Sequence, residues 1–214
     1  MKRVLRNVFC GVGFCLLLLV FAEAQVGLIT AHIDVPQPAP AGGPLFSNCG
    51  TTCSNYDRGA GYYVSGTGFS HVDGGGETIA VAFKTKNAAI FTKALTPLLI
   101  YTGNGGASSG KVTGMLLKSN AGAPGSPIAT LVQVGKLNDK GFTVIEYKPK
   151  KPIMLKAKTQ YWLCLEETTT DVQALWSENT LGDNTSPIYY NDVASCNAAM
   201  KSSTGVTAPA YAVF

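Results

Sequence analysis

Four cysteines carry the most specific chemistry in this 214-residue chain: Cys49, Cys53, Cys164 and Cys196. An even count in an exported chain favours disulfides, and four cysteines allow three pairings. Cys49-Gly-Thr-Thr-Cys53 suits a small local loop, because Gly50 and the two threonines permit a tight turn. Cys164 and Cys196 would then pair across the fold. That closes a loop of roughly 30 residues and stabilises by about 3–4 kcal/mol on the chain-entropy argument. The alternative is that Cys164 simply packs as a small apolar residue in a strand. Zinc does not fit, since paired Cys-x-x-Cys knuckles are missing and the only histidines are His32 and His71.

The other titratable residues make no catalytic set. A serine hydrolase needs a nucleophile on a sharp turn and a histidine base. No Gly-x-Ser-x-Gly is present, and His71 is the only histidine within the expected domain. Glu166 and Glu167 are adjacent, so on a strand they point to opposite faces. A glycosidase pair instead holds its carboxyls about 5–9 Å apart across one cleft. Asp73 and Glu77 flank Gly74-Gly75-Gly76, and Asp183-Asn184 precedes Asp192. Calcium wants six to eight oxygens, so both groups read as solvated turns. Gly103 to Gly110 is glycine-rich but lacks the Lys-Ser/Thr and helix of a phosphate loop. The expectation is a protein without cofactor, metal or catalysis.

Aromatic rings are the remaining candidates. Exposed rings stack on the apolar faces of sugars while Asn and Asp bond the hydroxyls. Trp176, Tyr189 and Tyr190 lie late in the chain near loops, and Tyr56, Tyr62 and Tyr63 lie early. Most Trp and Tyr in a sandwich are core residues. Tyr62-Tyr63 and Tyr189-Tyr190 must nevertheless turn one ring outward each if they sit on strands. The candidate ligand-binding residues are therefore Trp176, Tyr189, Tyr190, Tyr62 and Tyr63.

The elements that must position these residues begin after a leader. Lys2, Arg3 and Arg6 precede an apolar run from Val8 to Phe21, and Ala22-Glu23-Ala24 supplies small residues for cleavage. This is the pattern of a secretory signal over residues 1–24. Cys10 and Cys15 lie within the apolar run behind Phe9 and Phe14, which is the wrong context for lipid attachment. No later stretch reaches the ~20 apolar residues of a membrane span, and Lys93 interrupts the longest candidate. The leader takes three of the 17 basic residues and one of the 13 acidic ones, leaving 14 against 12, a net of +2. That balance gives no reason to expect nucleic acid or an anionic membrane as partner. Charged residues make up 14% of the chain, against a typical ~25%.

Residues 25–57 read as an extended arm and a cysteine-containing loop, with Pro36, Pro38, Pro40, Pro44 and Gly42-Gly43 excluding regular structure. Cys49 to Gly76 reads as irregular loops with one short strand near Tyr62-Tyr63-Val64. From residue 58 to 214 short strands recur with turns between them. They cover Thr78–Lys84, one long or two short strands within Ala89–Thr102, Val112–Lys118, Ile128–Val134, Phe142–Tyr147, Gln160–Glu166, Val172–Trp176, Ile188–Tyr190 and Val206–Phe214. Ser119 to Pro127 is dense in turn signals. Pro97 confines its strand to an edge or a bulge. Ser195 to Lys201 is the one place for a short helical turn. In Tyr161-Trp162-Leu163-Cys164-Leu165 both faces are apolar, which predicts a central strand covered on both sides. This spacing predicts an all-β, antiparallel sandwich.

Four features fall in a suggestive order: Phe83-Lys84-Thr85; Leu116 to Ile128 with its Ala123-Pro124-Gly125 turn; Leu155-Lys156-Ala157-Lys158-Thr159-Gln160-Tyr161-Trp162-Leu163; and Ala174-Leu175-Trp176. Over residues 58–214 this resembles the bacterial exported domains called choice-of-anchor R. The resemblance implies a jelly-roll-like β-sandwich on a secreted or surface protein, with no assigned catalysis. Such domains often continue into a sorting tail. This chain ends at Tyr211-Ala212-Val213-Phe214, so the expectation is a soluble product in the periplasm or beyond. The ending is also similar to the closing strand of an outer-membrane barrel, but the Gly-rich strands lack the repeated ~10-residue segments a barrel needs. The expected function is a non-enzymatic module binding a glycan or a surface or matrix component. The competing expectations are an assembly component whose arm adds a strand to a neighbour, and a cryptic hydrolase.

Overall fold

The computed structural model describes residues 43–69, 77–103 and 105–214, all within the unit Pro38–Phe214. The leader, most of the Pro-rich arm, His32, His71, Asp73 and Gly74 to Gly76 lie outside the described residues. The described chain is all-β and without a helix. In order, the strands are β1 (Phe46–Ser47), β2 (Tyr56–Ser65), β3 (Thr78–Lys84), β4 (Ala89–Phe91), β5 (Ala94–Ile100), β6 (Ser109–Gly110), β7 (Thr113–Asn120) and β8 (Ala123–Val134). They continue as β9 (Leu137–Asn138), β10 (Thr143–Pro149), β11 (Ile153–Leu155), β12 (Gln160–Glu166), β13 (Gln173–Asn179), β14 (Ile188–Asn191), β15 (Lys201–Ser203) and β16 (Ala212–Val213).

Twelve strands form one curled antiparallel sheet in the order β1-β16-β5-β10-β8-β7-β12-β3-β14-β15, with β13 joining β5 to β2. The curl comes from β8, which pairs with β7 along its first part and with β10 from Leu131 to Val134. One layer is therefore β7-β12-β3-β14-β15 and the other β10-β5-β13-β2 with β16 and β1. The chain crosses from layer to layer as it runs through β2, β3, β5, β7, β10, β12, β13 and β14, which is the jelly-roll-like sandwich expected. A bridge between Ser65 and Glu77 ties β2 to the start of β3.

Period-2 alternation builds the interior. Ile79, Val81 and Phe83 of β3 and Tyr161, Leu163 and Leu165 of β12 share one core with Leu116, Ile145, Leu98 and Trp176. Trp162 and Cys164 face the other way, with Ala80, Ala82, Met115 and Leu117. Strand β12 is thus covered on both sides, as its composition requires. The cover of that outer face is the loop between β14 and β15, held by the disulfide Cys164–Cys196. The opposite outer face carries Leu95 and Val144 beside Ala210 and Ala212, and it is closed by the disulfide Cys49–Cys53. One bridge therefore pins a cover to each outer face.

Several local expectations are corrected. The turn between β7 and β8 is only Ala121-Gly122, with φ of 50° and 89°, the left-handed pair of a tight hairpin. Pro124 and Pro127 lie inside β8, in the half that has a single ladder partner and an irregular register, where a missing N–H costs nothing to a second neighbour. Pro97 falls between Leu95, the last partner of β16, and Leu98, the first partner of β13. The loops expected before Gly76 hold the ten-residue β2. Ser195 to Lys201 forms no helix. Its backbone is taken by Asn191 Nδ2 bonding Ser195 O at 2.8 Å and by Cys196 N–H bonding Glu166 at 2.5 Å. In the closing segment only Ala212–Val213 joins the ladder. Isolated backbone bonds, among them Ala210 N–H to Ser177 O at 2.7 Å, and side chains hold the rest: Asn48 bonds Pro209 O and Tyr211 N–H at 2.9 and 2.8 Å, and Asn179 Nδ2 bonds Ala208 O at 2.8 Å.

The bridges should differ in worth. Closing the longer loop removes more denatured-state entropy, so Cys164→Ala with Cys196→Ala should cost about 4 kcal/mol and Cys49→Ala with Cys53→Ala about 2 kcal/mol. Non-reducing urea unfolding of the two double variants reads the difference, and equal losses would contradict the assignment.

Candidate functional site

The five aromatic candidates do not converge. Trp176 is a core residue, fully buried, with its Nε1–H donating to Ala210 O at 2.8 Å. It offers no ring to a ligand, because β13 turns it between the layers. Tyr62 faces it across the β2–β13 ladder and packs on the same core. The Tyr62 hydroxyl donates to Thr207 O at 2.5 Å, and burial, with Glu178 nearby, pushes its pKa up to about 12. Tyr190 also packs inward, beneath Lys201. Tyr63 and Tyr189 are the outward members of the two pairs, as alternation requires. Tyr63 meets the Tyr101 ring edge-on at 5.5 Å, and Tyr189 meets buried Trp162 at 5.0 Å. Their neighbours are different, so no common platform forms.

The concave surface lies instead at the end of the sandwich where β12 begins. A cleft of about 390 Å³ is bounded by Lys118 and Ser119 of β7, Ile128 of β8, Ile153 and Met154 of β11, the Lys156 to Thr159 turn, and Gln160 and Tyr161 of β12. Its floor is apolar: Ile128 and Ile153 pack on the core, and Met154 is 61% exposed at the rim. Its wall is polar and fixed. Tyr161 stacks on Phe83 with ring centroids 5.8 Å apart, and its hydroxyl accepts the Lys156 N–H at 2.9 Å. Gln160 donates from Nε2 to Gly122 O at 3.2 Å, which leaves its amide oxygen for a ligand.

Two smaller clefts adjoin it. One, of about 320 Å³, includes Leu45, Thr85 and Lys86; the other, of about 160 Å³, includes Lys84, Gln160 and Ser186. Gln160 borders both the first cleft and the smallest. Buried Thr85 clips the β3–β4 turn to the β11–β12 turn, donating to Lys156 O at 2.5 Å and accepting the Thr159 N–H at 3.2 Å. Both turns are thereby held as one rigid rim.

Charge is segregated along β12. Exposed Lys84, Lys86, Lys118, Lys156 and Lys158 surround the clefts. The ion pairs among the described residues use Lys93, Lys148 and Lys201, none of these five. Among the described residues no acidic side chain lines the three clefts, while Asp183 accepts hydrogen bonds from Thr185 and Ser186 at the smallest. At the other end of β12, Glu166 and Glu167 are 5% and 1% exposed. They do point to opposite sides: Glu166 takes the Cys196 N–H beneath the outer cover, and Glu167 takes the Thr169 N–H at 2.7 Å. Burial raises both carboxyls, and these backbone bonds only partly offset it.

Sequence reasoning singled out aromatics and passed over this cleft. Its one linear trace is Leu155 to Leu163, where a Lys-Ala-Lys-Thr turn runs into an apolar strand. No family model matches the chain, and no curated protein matches it. Among the described residues no helix is long and apolar enough to cross a membrane. The two disulfides mark an oxidising, extracytoplasmic environment.

The buried carboxyls set a pH dependence. A folded-state pKa raised above the ordinary value of 4.5 gives stability that is complete below that value and lost as pH rises through the raised one. Stability should therefore fall as pH rises above about 4.5 through the raised pKa values of the two carboxyls. Glu166→Gln with Glu167→Gln should flatten that fall in urea titrations, and an unchanged slope would contradict the origin assigned.

Proposed function

We propose that this protein is an exported, non-enzymatic carbohydrate-binding module, secreted by its N-terminal leader, with the cleft between Lys118 and Tyr161 as its site. The observation that carries the reading is the make-up of the cleft. An apolar floor of Ile128, Ile153 and Met154 suits the C–H face of a pyranose ring. Ser119, Thr159 and Gln160 stand beside it to bond hydroxyls. A mostly apolar concavity with a few convergent polar groups is the usual form of a small-ligand site. The rim is stiffened by Thr85 and by the Tyr161–Phe83 stack, so little ordering entropy is lost on binding. The resemblance to choice-of-anchor R domains points the same way, toward a surface or matrix role. Export accords with the disulfides. The absence of catalysis accords with Glu166 and Glu167, the adjacent carboxyls, being occupied by backbone N–H groups on opposite sides of a strand.

Glycan-array binding by the purified protein is the direct test. Gln160→Ala with Met154→Ala should weaken any bound glycan about tenfold, because a hydrogen bond and an apolar contact of about 1.4 kcal/mol together are lost. Far-UV circular dichroism should not change. Trp176→Ala should instead cost about 3–5 kcal/mol of stability as a core truncation. Failure to bind any glycan, or binding indifferent to the cleft variant, would overturn the reading.

A further inference from the structure

We infer that the ligand of this cleft is an acidic polysaccharide, one bearing carboxylate or sulfate groups at regular intervals; the inference rests on the carbohydrate-binding reading above. Its basis is the cluster of unpaired lysines. Lys84 is the ladder partner of Gln160, and Lys118 is the ladder partner of Tyr161. They flank β12 from its two neighbours: Lys118 shares the face of Tyr161, at the main cleft, and Lys84 shares the opposite face, at the smallest one. Lys156 and Lys158 stand on the turn above, and Lys86 on the turn that Thr85 clips to it. Lys118 and Lys156 line the main cleft, Lys86 and Lys84 line one smaller cleft each, and among the described residues no acidic side chain lines the three. Three other lysines are paired, Lys93 and Lys148 with Glu146 at 3.1 and 2.6 Å and Lys201 with Asp192 at 2.7 Å, whereas Lys118 and Lys156 are in no ion pair among the described residues. Uncompensated like charges around a concave surface raise the local concentration of an anion of matching shape.

The form of the surface selects among anions. The main cleft, at about 390 Å³, is far larger than an inorganic ion requires, and its floor is apolar. Single-stranded nucleic acid needs exposed rings on which bases stack. Of the rings at this end, Tyr161 and Phe83 are 6% and 2% exposed and stacked on each other, and half-buried Phe46 is stacked on buried Tyr211. A membrane-binding face would carry projecting apolar side chains among its cations. Here Ile128 and Ile153 are recessed and only Met154 stands out. A polysaccharide uses every feature present. Its ring faces meet the floor and its hydroxyls meet Gln160, Ser119 and Thr159. Its charged groups reach Lys118 and Lys156 beside the main cleft.

Isothermal titration with polygalacturonate, alginate and chondroitin sulfate, against fully methyl-esterified polygalacturonate, tests this. At least one acidic polymer should bind at low salt and lose tenfold or more in affinity when salt is raised, as screening of exposed charges requires. The neutral ester should bind at least tenfold more weakly than its parent polymer if that polymer is the one bound. Lys118→Ala with Lys156→Ala should weaken acidic-polymer binding tenfold or more, while Lys111→Ala with Lys140→Ala, away from the clefts, should not. Binding of neutral glycans alone would overturn this inference and leave the carbohydrate reading standing. Binding of no glycan would overturn both. Equally tight, equally lysine-dependent binding of phosphatidylglycerol vesicles or duplex DNA would show a general polyanion surface and overturn the polysaccharide assignment.

Discussion

The structure depends on covering a sheet that is apolar on both faces. Strand β12 sends Tyr161, Leu163 and Leu165 into the sandwich and Trp162 and Cys164 out of it, and neither set is exposed. A two-layer sandwich buries only its inner faces, so further chain must lie over the outer side. Long helices would do this in other folds. Here the covers are loops with little core of their own, and each is fastened by a disulfide. The hydrogen bonds follow the same need. Asn48, Asn179 and Trp176 hold the strand-poor segment from Ala208 to Tyr211 by its carbonyl and N–H groups. Double covering also leaves Trp162 Nε1–H buried and without an acceptor among the described residues, a cost of about 1–3 kcal/mol set against the packing of the largest side chain on that face.

How much of this was legible depends on whether the signal was local. Strand β12 was readable to its end residues, because five consecutive apolar side chains flanked by Gln160 and Glu166 leave one interpretation. The alternation of β3 was readable for the same reason. The β7–β8 connection was not. Pro124, Gly125 and Pro127 are turn residues by composition, and only the missing second neighbour of β8 explains why a strand tolerates them. The disulfide pairing favoured from the tight Cys49–Cys53 spacing is the one formed, but nothing in Cys-x-x-x-Cys states which face it closes.

Trp176 and the cleft were hard to read in sequence for opposite reasons. Trp176 belongs to a pattern, Ala-Leu-Trp, that reads the same whether the ring faces core or solvent; its neighbours across the layers decide. The cleft has no pattern at all. It is assembled from the ends of β7, β8, β11 and β12, and each contributes one or two residues. A lysine at the end of a strand passes in sequence for an ordinary solubility residue. Only the packing of β7 beside the β11–β12 turn shows that Lys118 and Lys156 border one cleft.

Layer-alternating connectivity has a kinetic side. In the large sheet only β7–β8 and β14–β15 pair strands adjacent in the chain, with β8–β10 nearly so. Every other ladder joins segments far apart, so loop-closure entropy must be surrendered before those contacts form. Such a chain belongs with the slow, high-contact-order folders that take milliseconds to seconds. During that interval both faces of β12 stand uncovered, and unfolded copies are prone to stick to one another until the last cover closes.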